Sequence, residues 1–176
     1  KVEGFETLEF NVGGQVFKVE GLQAKAVGTD VKEGGYESKV TGTAVVRDAA
    51  GKDVTDQFKV KTENGKLTIT PIEIKLRSES GSKPYDGTAL TMPKVTVVSG
   101  AFVEGEGFAE GSPRATGSVL YAGESEKNTI EYELAEGTKA VNYNIQKEEG
   151  TLTITDRDDD KKLEITVTAK SDEQPY

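Results

Sequence analysis

At 176 residues the chain has room for one large domain or two modest ones. Its 31 acidic residues against 22 basic ones give a net charge of −9, which argues against nucleic-acid phosphate and anionic lipid as partners. It has no Cys and no His, which removes disulfides, Ser-His and Cys-His catalysis, and the zinc ligand sets built on those residues.

The apolar fraction of 34% is low, but 20 glycines and ample β-branched and aromatic residues place the chain among folded proteins with thin cores. Nearly every segment carries the signature of a strand. Strands are predicted over 7–12, 16–19, 40–47, 58–62, 94–98, 118–121, 129–134 and 143–147. Residues 20–27 allow a short helical turn, 49–53 predict a loop, and 102–111 are too Gly-rich to hold a helix. Strict alternation marks four further strands: Leu67 and Ile69, then Ile72, Ile74 and Leu76, then Leu152 and Ile154, then Leu163, Ile165 and Val167. Asn64-Gly65 and Glu149-Gly150 predict hairpin turns, with the glycine in the left-handed conformation.

The chain also repeats itself. Gly65-Lys66-Leu67-Thr68-Ile69-Thr70 returns as Gly150-Thr151-Leu152-Thr153-Ile154-Thr155, an offset of 85 positions. The same offset carries Phe58 onto Tyr143, and Phe10, Val12 and Phe17 onto Val95, Val97 and Phe102. A second echo, at an offset of 91, carries Ile72, Ile74, Leu76 and Pro84-Tyr85 onto Leu163, Ile165, Val167 and Pro175-Tyr176. Such self-similarity is the mark of tandem modules. The expected division is a first repeat over 1–70 that lacks its opening strand, and a second over 71–155. An acidic linker then spans 156–162, and 163–176 opens a third repeat. A module short of a strand leaves an open sheet edge, so 163–168 is expected to pair along one, in its own chain or a neighbour's.

The acidic run 156–162 reads as a solvated linker; the functional alternative is a calcium clip from Asp156, Asp158 and Asp160. The tyrosines read as core rings with the hydroxyl at the rim, against a sugar-binding platform. Gly105-Glu106-Gly107 has no strand–helix context for phosphate. Among 31 acids, carboxylate pairs within reach arise by chance and point to no glycosidase. No catalytic residues and no cofactor are predicted, and no stretch approaches the roughly 20 apolar residues of a membrane-spanning helix.

Lys83-Pro84-Tyr85-Asp86-Gly87-Thr88-Ala89-Leu90-Thr91, with Asn142-Tyr143-Asn144-Ile145 and Gly150-Thr151-Leu152-Thr153-Ile154-Thr155, resembles the repeat pattern of MBG-type modules, neighbours of mucin-binding-type repeats. The first copy matches through Asp53-Val54-Thr55-Asp56-Gln57-Phe58 and Gly65 to Thr70, without the Tyr-Asp-Gly. The resemblance implies a piece of an extracellular protein attached to the cell wall of Gram-positive or gut bacteria. It also implies a mostly β module, β-grasp-like; composition equally allows an immunoglobulin-like sandwich. It brings no catalytic or ligand residue with it. Modules of that kind sometimes carry a Lys–Asn or Lys–Asp amide in the core, and no such pair is identifiable here. The combined expectation is an all-β, non-catalytic adhesin or stalk that meets a host glycan or matrix protein and the neighbouring repeats. The alternatives are a glycan- or mucin-binding module and an accessory domain of a secreted enzyme.

Overall fold

The computed structural model describes residues 1–158, 162, 164–173, which fall into two compact units. One comprises Lys1–Ile72 with Lys139–Asn144; the other comprises Glu73–Thr138 and the chain from Ile145 onward. The protein is all-β. The only helical pieces among the described residues are two 3-10 turns, Thr55–Gln57 and Ala140–Asn142, offset from each other by the repeat period. With no α-helix for a sheet to wrap, the sandwich alternative is favoured over a β-grasp.

The first unit is a five-stranded antiparallel sheet of β1 (Val2–Glu3), β2 (Glu9–Val12), β3 (Gln15–Ala26), β4 (Tyr36–Arg47) and β5 (Gly65–Leu67). The order is β1-β3-β4-β5, with β2 against the first half of β3. The β3–β4 ladder shifts register between Glu20 and Leu22. The extra residue lies in β4, where Thr43 and Ala44 stand against Gly21 of β3; Val19 before the shift and Ala24 and Ala26 after it are all buried. The shift also explains why 20–27 is a strand and not the helical turn allowed by its sequence: the interrupted alternation leaves Val19, Leu22 and Ala26 at helix-like spacing. Gly21 and Gly42 meet at this point with φ of 79° and 97°, and a Cβ on either would strike backbone of the other strand.

The second unit follows with β6 (Ile72–Ser78), β7 (Gly81–Pro84), β8 (Leu90–Thr91), β9 (Val95–Ser99), β10 (Arg114–Ala115) and β11 (Ser118–Val119). Next come β12 (Ser125–Asn128), β13 (Ile130–Glu131), β14 (Tyr143–Glu148) and β15 (Gly150–Thr155). It holds two three-stranded sheets, β14-β6-β9 and β12-β15-β7, and the short ribbons β8-β11 and β10-β13. Alternation buries Ile74 and Leu76 from β6, and Leu152 and Ile154 from β15; Val119 packs with the latter pair, and Ile130 is also fully buried. Tyr85, Leu90 and Met92 close one side of that core, and Tyr143 is buried, as its match to Phe58 predicts. Buried Asn128 donates to the Glu79 and Met92 carbonyls, both at 2.9 Å, and accepts from the Gly117 N–H at 3.2 Å. The buried polar side chains among the described residues are Ser38, Ser78 and Asn128, with no lysine, so the core offers no pair for a Lys–Asn amide.

Three sequence expectations are corrected. Neither glycine turn closes a hairpin. Residues 58–64 form no strand, and β5 pairs with β4; β14 and β15 belong to different sheets. Gly65 and Gly150 do not have positive φ. Gly150 is needed because any Cβ there would overlap the carbonyl of Glu79, the backbone it crosses on leaving one sheet for the other. Finally, residues 164–168 are not a strand and pair with no described strand of their own chain. Ile165 and Val167 are 83% and 89% exposed. Leu163, Pro175 and Tyr176 lie outside the described residues.

Candidate functional site

An apolar concavity lies wholly within the first unit, a cleft of about 390 Å³. Its floor is the inner face of β3 and β4, with Val19 and Val46 buried at the base. One wall is β2 with the residues before it, presenting Leu8, Phe10 and Val12; Phe10 and Val12 remain 45% and 54% exposed. β2 hydrogen-bonds to β3 along one edge, and its other edge has no partner strand among the described residues.

The opposite wall is residues 58–63, and a chain of short hydrogen bonds fixes it without sheet pairing. The Asp53 carboxylate accepts from the Thr55 N–H at 3.0 Å and from its hydroxyl at 2.7 Å, which holds the Asp53 pKa below the usual carboxyl range. The Thr55 hydroxyl oxygen accepts from the Val46 N–H at 2.8 Å, and the Val54 N–H reaches the Val46 carbonyl at 2.9 Å, pinning the 3-10 turn to β4. Phe58 leaves that turn and packs on Phe17 with ring centroids 4.8 Å apart and planes at 58°. At the far end, Asn64 accepts from the Val40 N–H at 2.9 Å and donates to Glu37 at 2.7 Å. The wall is held at both ends and open along its length. The cleft carries Lys59, Lys61 and Glu63 on one lip and no set of reactive groups inside. It is suited to holding apolar side chains on an extended backbone.

A second, polar hollow of about 410 Å³ lies in the second unit among Glu110, Ser112, Arg114, Glu131, Tyr132, Glu133 and Lys147. Several of its groups have partners. The Ser112 hydroxyl bonds with the Glu133 backbone, Arg114 pairs with Glu131 at 3.3 Å, and Lys147 donates to the Ile130 carbonyl at 2.7 Å while lying 5.0 Å from the Tyr132 ring centre. No histidine or thiolate stands by to activate Ser112.

Asp156 and Asp158 are exposed, Asp160 lies outside the described residues, and no group of three metal-ligating side chains occurs among those described. Tyr85 packs against the core, its N–H bonded to the Thr155 carbonyl at 2.9 Å and Arg157 lying 5.6 Å from its ring centre. Every resolved carboxyl shift is downward and belongs to an exposed group held by a cation or a Thr, as in Asp30, Asp86 and Glu148. No described helix is long and apolar enough to cross a membrane. No family model, curated protein or solved structure matches the chain.

The cleft itself was not among the sequence-predicted sites. Phe10, Val12, Phe17 and Phe58 read in sequence as ordinary inward residues of strands. The signal that could have found it was the offset arithmetic, which leaves the first repeat without a counterpart of β6.

Proposed function

We propose that this chain is a pair of non-catalytic repeat modules from a bacterial cell-surface protein, serving as stalk or adhesin outside the cell wall. The observation that carries this reading is the repeat itself. One period separates the two Gly-x-Leu-Thr-Ile-Thr strands and the two 3-10 turns, on an all-β scaffold whose resolved polar clusters are closed on themselves. Modules in tandem extend a chain with little material.

A spacer requires no receptive surface, whereas an adhesin does. The aromatic and aliphatic cleft of the first unit is the described surface on which the second role can be tested. An array of host glycans, mucins and matrix proteins probed with the chain separates the two. Signal that falls on Phe10→Ser or Phe58→Ser supports an adhesin, and background signal throughout supports the stalk. Turnover of any glycan on the array would overturn the non-catalytic reading.

A further inference from the structure

Both walls of the first-unit cleft have counterparts in the second unit. At the repeat offset, residues 58–63 correspond to β14, and 10–14 correspond to β9. In the second unit β6 lies between those two strands and hydrogen-bonds to both. It buries Ile74 and Leu76 almost completely and closes the core. In the first unit no described strand occupies that place, and the cleft stands there instead.

The chain contains a second segment of the β6 type. Residues 163–169, Leu-Glu-Ile-Thr-Val-Thr-Ala, match β6 at the 91-residue offset. Ile165 and Val167 stand where Ile74 and Leu76 stand, yet both are almost fully exposed. The described residues thus hold an acceptor without a strand and a strand without an acceptor.

We infer that the first-unit cleft receives residues 164–169 of a second copy of this chain as a donated strand, lying between β2 and residues 58–63. Main-chain hydrogen bonds to the free edge of β2 supply attraction, and the cleft takes the alternate side chains Ile165 and Val167. Donor and acceptor are different surfaces, so the contact is head-to-tail and propagates. The register follows from the second unit. There Leu76, Arg77 and Ser78 face Val97, Thr96 and Val95. Translated by the two offsets, Val167, Thr168 and Ala169 face Val12, Asn11 and Phe10. One contact is missing. Glu148 holds Lys75 and Arg77 of β6, each at 2.9 Å; its counterpart Glu63 would face Thr166 and Thr168.

Sedimentation equilibrium of the full chain tests this inference. Mass should rise with protein concentration. Ile165→Lys with Val167→Lys, which alters only exposed residues, should lower the association constant at least about tenfold with an unchanged circular dichroism spectrum. Thr166→Lys with Thr168→Arg should raise it about two- to fivefold by giving Glu63 its cations. Because the chain has no cysteine, two single-cysteine variants report the register. Asn11→Cys chains mixed with Thr168→Cys chains should oxidise to a heterodimer, and Asn11→Cys mixed with Glu173→Cys should not. A monomer at every concentration, association indifferent to the Ile165 and Val167 changes, or equal cross-linking of the two mixtures would overturn it.

Discussion

Short polar side chains do much of the local fixing in this protein. Asp53 with Thr55, and Asp86 with Thr88, form the same clasp, an acid accepting from the N–H and hydroxyl of the residue two places on. In the second case Lys83 also donates to Asp86 at 2.9 Å and is the main reason its carboxyl lies well below the usual range. Glu148 is gripped harder: Arg77 donates at 2.9 and 3.1 Å and Lys75 at 2.9 Å, and these cations bring its pKa from 4.5 down to about 2. A carboxyl depressed on folding stabilises above its unfolded pKa, and that contribution is lost as pH falls through the folded one. Thermal melts of the native chain and of Glu148→Gln should therefore differ fully at neutral pH and converge as pH falls from 4.5 to about 2. A gap independent of pH would mean that Glu148 acts through packing alone.

Among the strands, the bulged β3–β4 hairpin depends on two glycines more than on any apolar contact. Gly42 has φ of 97° and lies against the carbonyl of Gly21, so both its conformation and its missing Cβ are used. Gly42→Ala should lower the unfolding free energy by about 2 kcal/mol, measured by urea titration, whereas Gly13→Ala, with a similar φ but open space, should cost less. The strands legible in sequence included those with unbroken alternation, such as β6 and β15, together with β2, β4, β9 and β14. β7 was not legible: Gly81-Ser82-Lys83-Pro84 has no β-branched residue, and it is a strand because β15 lies parallel beside it. Residues 58–62 were misread for the opposite reason. Their alternation is sound, but no neighbouring strand is there to complete the ladder.

The chain as a whole has its burial unevenly divided. All of the largest fully buried side chains, Ile74, Leu76, Val119, Ile130, Leu152, Ile154 and Asn128, belong to the second unit. In the first unit the repeats of Leu152 and Ile154, namely Leu67 and Ile69, are only half-buried. A small unit with an open core sits at the marginal end of stability. Amide hydrogen exchange on dilute protein should show β3 and β4 opening before β6 and β15, and urea should unfold the chain in two steps. At concentrations where mass rises, protection in β2 and 58–63 should increase; a single cooperative transition would contradict the uneven division.

Composition and side-chain periodicity were enough to establish a β protein, a sequence echo at an 85-residue offset and the absence of His and Cys, because each is read along one line. Which strand lies beside which was settled by the folded chain. Alternation states that a segment has an inner face, but hydrogen-bond partners come from residues far away in sequence, and local pattern does not name them. The cleft exists for that reason: two edges sound in themselves stand open where the second unit places β6 between their counterparts.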